Sequence, residues 1–202
     1  MTAQNQTISK PILVVVEGKD DAGVLAKFCK EWGFNDIQFY GVNGKPNNDN
    51  VSAVINQSGF ADNVRCFAIV RDADDSFDNA KRSVESILSA LSLTVKTGFF
   101  ILPSHRENGM LETLLMRVVA QNNTDKNQCI NSFMDCLATK RVTIPDHKKD
   151  KAKTYAFLSA NDDPGKRINE AAQAGFWDHN NDSLKPLKDF FQGLCTAETR
   201  AT

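Results

Sequence analysis

Two acidic clusters in this 202-residue chain have the residue types and spacing to do chemistry. Glu17 follows the apolar run Ile12–Val16 and leads into Gly18, Lys19, Asp20 and Asp21. Asp72, Asp74 and Asp75 follow a second apolar run, Arg65–Val70, across Arg71. Carboxylates brought together repel one another, and a divalent cation is the usual remedy. An oxygen-only set such as Glu17, Asp72 and Asp74 suits magnesium, which keeps several waters and often takes its remaining ligands from phosphate. Zinc would want His or Cys. Asp72 and Asp74 are two residues apart, so extended backbone would aim both side chains the same way. Helix capping is the plainer reading, and it accounts for Asp20, Asp21 and Asp75. Two strand-end clusters in so short a chain exceed what capping needs.

The elements that must position these acids follow from the hydrophobic pattern. Ile12–Val16 is β-branched and unbroken, the signature of a strand buried on both faces of a parallel sheet. Further strands are expected at Ile37–Val42, Arg65–Val70 and Gly98–Leu102, the last closed by Pro103. Helices are expected between them, over Asp20–Trp32, Val51–Gln57 and Phe77–Leu91, with a polar loop at Asn43–Asn50. This alternation predicts an open, mostly parallel four-stranded α/β sheet flanked by helices. Carboxyl ends of such strands are where open α/β sheets bind ligands. After Pro103 the pattern turns helical: Met110–Val119, a polar connection over Gln121–Asn127, Gln128–Leu137, then shorter pieces near Lys153–Ser159, Gly165–Ala174 and Leu184–Gly193. The expected organisation is an α/β domain over residues 11–120 and a helical C-terminal extension over 121–195, packed on the same domain. Phe176 and Trp177 read as the apolar anchor of that extension.

Composition narrows the function classes. The net charge is −1, with 41% hydrophobic and 24% charged residues, so the chain is not a bulk polyanion binder. Contact with nucleic acid would need a local patch, and Lys148, Lys149, Lys151 and Lys153 supply one. None of the five cysteines forms a CxxC pair. Cys29, Cys66 and Cys136 sit in apolar patterns and read as reduced core residues. No signal-peptide core or membrane-length apolar run is present in the sequence, which reads as soluble and cytoplasmic. His105, His147 and His179 fall in loops at no metal-ligand spacing and receive no role. With no phosphate-binding Walker loop, any ATPase would be a separate partner chain.

Glu17-Gly18-Lys19-Asp20 after the first strand and Asp72-Ala73-Asp74 after a later one resemble the Toprim domain. That domain is shared by topoisomerases, bacterial primases and nucleases of the overcoming-lysogenization-defect family. The resemblance spans roughly Pro11 to Leu102. It implies that Glu17, Asp72 and Asp74 hold magnesium, with manganese as a substitute, and serve phosphodiester chemistry. It further implies a later assisting lysine, for which Lys151 and Lys153 are candidates. The segments Gly109–Leu115 and Lys151–Ala160 resemble a small group of single-domain Toprim-like proteins, a likeness that implies a fold and not a reaction. Only Tyr40 and Tyr155 are available as tyrosines, and the separate domain that carries a topoisomerase nucleophile is lacking, as is a primase zinc module.

Glu112, in the first turn of the helix after the fourth strand, either completes a second metal site or balances the helix dipole. Lys19 and Arg71 are candidate phosphate contacts, Arg71 also a neutraliser of the acids. The leading expectation is a magnesium-dependent phosphodiester hydrolase acting on nucleic acid, with Glu17 as metal ligand or general base. One alternative is a non-catalytic module that binds nucleic acid or a partner subunit, for example in phage defence. The other is a phosphotransferase or phosphatase with Asp72 as nucleophile, which would leave Glu17 without a task. The oligomeric state is left open, a homodimer included.

Overall fold

The computed structural model describes residues 7–198. Strands β1 (Ile12–Val16), β2 (Ile37–Gly41), β3 (Cys66–Asp72) and β4 (Lys96–Leu102) form one sheet in the order β2-β1-β3-β4, with every pairing parallel. The chain leaves β1 for β2 on one side and returns to β3 on the other. The carboxyl ends of β1 and β3 therefore flank the point where the strand order reverses. Ile12 pairs with Cys66 and Val15 with Ile69, a register that brings Glu17 level with the end of β3.

Helices cover both faces, so the central strands are apolar up to their carboxyl ends, where β3 closes on Arg71 and Asp72. Every residue of β1 is buried, and period-2 alternation divides its side chains between two cores. Leu13, Val15, Phe67, Ile69 and Ile101 pack with Val51 and Val54 of α2 (Asn48–Ile55), Phe60 of α3 (Phe60–Asn63), and Ala80, Val84 and Ile87 of α4 (Phe77–Leu91). Ile12, Val14, Val16, Ala68, Val70, Phe100 and Leu102 face the other way. There they meet α1 (Lys19–Glu31) and the later helices α5 (Leu111–Asn122), α6 (Thr124–Thr139), α7 (Asp146–Ser159), α8 (Ile168–Gln173) and α9 (Lys185–Glu198). One continuous core thus runs from β1 to Leu194 of α9. Trp177 is buried against Phe157 of α7, with ring centroids 5.8 Å apart, so its indole face is spent on packing.

Several boundaries differ from the sequence reading. The expected loop Asn43–Asn50 ends early, because Asn47 and Asn50 cap α2 reciprocally: the Asn50 N–H donates to Asn47 Oδ1 at 3.0 Å and the Asn47 N–H to Asn50 Oδ1 at 2.9 Å. The polar stretch Gln121–Asn127 is almost wholly helical, broken only at Asn123, where φ is −134° and ψ 58°. The basic run after Pro145 is no loop but the first turns of α7. β3 extends through Asp72, and β4 starts at Lys96. Cys29 and Cys66 are buried as expected. Cys136 is exposed, because only Ile130 of α6 is buried in the core. No helix among the described residues is long and apolar enough to cross a membrane.

Gly41, the last residue of β2, packs directly on the turn that carries Glu17. A Cβ there would stand 2.8 Å from both the carbonyl carbon and the oxygen of Gly18, backbone atoms that cannot rotate aside. Gly41→Ala is expected to cost about 1–3 kcal/mol, the usual range for overpacking. Chemical denaturation measures it as a lower midpoint at unchanged slope.

Candidate functional site

Each acid is set in place by a different local device. Glu17 leaves the end of β1, and Gly18 turns the chain into α1. Asp21, in the first turn of α1, accepts the Gly18 N–H at 2.8 Å and so fixes that turn. Asp72 closes β3, and its Oδ1 accepts the Leu111 N–H at 2.9 Å, capping the start of α5. Asp74 is not in the extended backbone that its spacing from Asp72 suggests. It adopts φ +51° and is pinned to Gly109 by two backbone bonds, Asp74 N–H to Gly109 O at 2.8 Å and Gly109 N–H to Asp74 O at 2.9 Å. Glu112 sits in the first turn of α5, buried, with the Lys151 ammonium 4.0 Å from its Oε1.

Glu17, Asp21, Asp72, Asp74 and Glu112 line one cleft of about 440 Å³ at the carboxyl edge of the sheet, together with Asn43, Gly44, Met110, His147, Lys148 and Lys151. Packing these carboxylates together leaves them short of counter-charge. Burial pushes the Asp72 carboxyl well above the usual carboxylate range, and the charges of Glu17, Asp21 and Glu112 add to it. Burial likewise raises Glu17, against the opposing pull of Arg71, and raises Asp21 and Glu112. Glu17 Oε1 is buried and accepts no hydrogen bond; its nearest cation is Arg71, whose Nε is 3.8 Å away.

An under-neutralised cleft with an orphaned carboxylate oxygen and only oxygen ligands at its centre fits a hard divalent cation such as magnesium or manganese. As the side chains stand, no group of three His, Cys, Asp or Glu residues among the described residues is gathered to hold an ion. One acid is occupied instead: Asp74 Oδ2 takes the Lys45 ammonium at 2.6 Å, while Glu17 only faces Arg71 at 3.8 Å.

The lysines of α7 separate by helical phase. Lys148 and Lys151 face the cleft, whereas Lys149 and Lys153 line a different groove beside α6, with Asn131, Met134 and Arg141. Lys149 is also paired with Asp146 at 2.6 Å. The structure thus sets Lys153 apart from the acids, and Lys149 with it. Lys19 is exposed on α1 and does not line the cleft. Arg71 is buried; it donates to Ser83 Oγ at 3.1 Å and offsets Glu17.

Residues not singled out by sequence reasoning also meet here. Asp21 caps α1 as its position in the first turn suggests, and that same position sets it beside Glu17 in the cleft. His147 precedes Lys148 and sits three and four residues from Asp150 and Lys151, the side of α7 that turns toward α5. Lys45 lies in a turn-rich segment that gave no hint of its partner.

A carboxyl whose ionised form is disfavoured by the fold stabilises the protein while protonated and costs stability once ionised. The protein is therefore expected to lose stability as pH rises through the raised carboxyl range toward neutrality. Asp72→Asn keeps the acceptor for the Leu111 N–H and removes the buried charge. It is expected to add about 1–2 kcal/mol near neutral pH and to flatten that pH dependence, as read from melting temperatures across a pH series.

Among solved structures, the C-terminal region of the Burkholderia pseudomallei OLD protein superposes with a TM-score of 0.53 at 15% identity, covering 92% of this chain and 98% of that one. The C-terminal region of the Xanthomonas campestris pv. campestris OLD protein gives 0.50 at 14% identity, covering 94% and 98%. At such identity the likeness is one of fold. Among curated proteins, none matches the sequence. Residues 11–196 match the family described as "Protein of unknown function (DUF3226)", and the chain belongs to that family.

Proposed function

We propose that the protein is a magnesium-dependent phosphodiester hydrolase acting on nucleic acid. The observation that carries this reading is the convergence of Glu17, Asp72 and Asp74, with Asp21 and Glu112, in one under-neutralised cleft at the switch point of a parallel sheet. The Toprim-like fold and its likeness to OLD C-terminal regions support the same class. Glu17, Asp72 and Asp74 would hold magnesium or manganese, and Glu112 with Asp21 would contribute to a second ion. When bound, such ions polarise phosphoryl oxygens and offset the charge of the transition state.

The chain's own groups divide the remaining work. As the alternative to holding metal, Glu17 serves as general base: it takes the proton of the attacking water as the water oxygen bonds to phosphorus and the bond to the leaving sugar oxygen breaks, and returns that proton to solvent. The leaving oxygen is protonated from solvent, so the net change is addition of water across one P–O bond. The Lys151 ammonium, already next to Glu112, stabilises charge developing on the phosphate. Lys148 extends this positive rim toward the flanking backbone.

A second reading, a module that binds nucleic acid or a partner without cleaving it, is favoured by one observation: no metal-ready group of ligands is gathered among the described residues. Titration calorimetry with Mn²⁺ separates the two, since the module requires no binding at physiological concentrations.

Incubation with plasmid and single-stranded DNA or RNA in Mg²⁺ or Mn²⁺ is expected to give cleavage that EDTA abolishes. The Glu17→Gln/Asp72→Asn double variant is expected to lose about a hundredfold or more in rate, several kcal/mol of transition-state stabilisation. Equal rates for wild type and double variant would refute the hydrolase reading.

A further inference from the structure

We infer that Lys45 is a phosphate-binding residue linked to metal binding: it holds Asp74 in the cation-free protein and passes to a backbone phosphate of the nucleic-acid substrate when a divalent cation takes Asp74. This inference rests on the metal-dependent reading of the cleft.

The Lys45 ammonium lies 2.6 Å from Asp74 Oδ2, the one ion pair that Asp74 makes among the described residues. Both backbones are fixed. Asp74 is pinned to Gly109, and the Lys45 carbonyl accepts the Asn50 Nδ2 at 3.0 Å at the head of α2. The preceding Gly44 has φ +140°, a conformation suited to glycine, and its N–H donates to Glu17 O at 2.9 Å, which ties the segment to the end of β1. The movable part is the Lys45 side chain, 61% exposed, so it can leave Asp74 by changing rotamer alone.

Its destination is also built. Asp74 forms a ridge between the acidic cleft and a neighbouring groove of about 420 Å³, lined by Lys45, Arg71, Ser76 and Asn79. A divalent cation on Asp74 repels the ammonium and competes for the same oxygen. Released, the ammonium stands at the rim between cleft and groove, where a strand crossing the ridge presents phosphate. A compact, strongly hydrated point charge with rotatable donors suits such an exchange better than the planar fork of an arginine. Thermodynamic reciprocity then requires that a phosphate which engages Lys45 also tighten cation binding.

Lys45→Gln should move the two affinities in opposite directions. Mn²⁺ binding, measured by calorimetry or electron paramagnetic resonance without nucleic acid, is expected to tighten about two- to fivefold, the scale of one partly exposed ion pair. Lys148→Gln removes the same charge from the cleft without freeing an acid, and is expected to tighten it less. Binding of a fluorescent single-stranded oligonucleotide in Ca²⁺ should lose about 0.7 from the slope of log K against log salt, one phosphate contact, with no such loss in EDTA. Unchanged Mn²⁺ affinity in Lys45→Gln, equal tightening in Lys148→Gln, or a slope loss independent of the cation would overturn the role of Lys45 and leave the hydrolase reading standing. Absence of Mn²⁺ binding in the wild type would overturn both.

Discussion

The parallel pairing of β1 with β3 is the constraint on which this structure depends. It sets two chain segments more than fifty residues apart in register, and each ends in an acid. Because side chains in β1 are buried on both faces, slipping the register by one residue would exchange the two cores. The apolar faces of the sheet therefore decide where the carboxylates stand. Their mutual repulsion is tolerated because the cores on either side hold the strands.

That arrangement costs stability. Carboxyls of Glu17, Asp21, Asp72 and Glu112 are all raised by burial, and each ionised form is a cost carried by the rest of the fold. Positive groups nearby relieve part of it: Arg71 from beneath the sheet edge, Lys45 from the β2–α2 connection and Lys151 from α7. These three come from elements remote in sequence, so the cleft is a product of tertiary structure and not of any single motif. By contrast, the Glu107 carboxylate, held by two bonds from Arg117 and one from Ser104 on the β4–α5 loop, is pulled down to about 2. Glu107 thus has its counter-charge in contact, whereas the raised carboxyls of the cleft do not.

The sheet and its strand-end acids were legible because they are local signals: an unbroken β-branched run, then Glu-Gly or Asp-x-Asp. The span of α4 was legible from its apolar stripe, but its cap is the Ser76 hydroxyl, which accepts the Asn79 N–H, and not Asp75. The helical half was harder. Polar residues at Gln121–Asn127 read as a connection, yet side chains there find partners from distant segments, such as Lys126 on Asn161, which no local window contains. The phase of α7 could not be read from a run of lysines either; which of them face the acids depends on where Phe157 and Leu158 bury. The extended geometry expected from Asp72 to Asp74 failed for a similar reason, since the bridge from Asp74 to Gly109 lies 35 residues downstream and bends the backbone.

The bond from the Leu111 N–H to Asp72 gives this carboxylate a double duty. Asp72 stands at the pole of the acidic cluster and is at the same time the anchor for the head of α5, on which α7 rests. The head of α5 is thereby tied to the acidic edge of the sheet through a single hydrogen bond, and the seating of α5 and the charge of the cluster share one side chain.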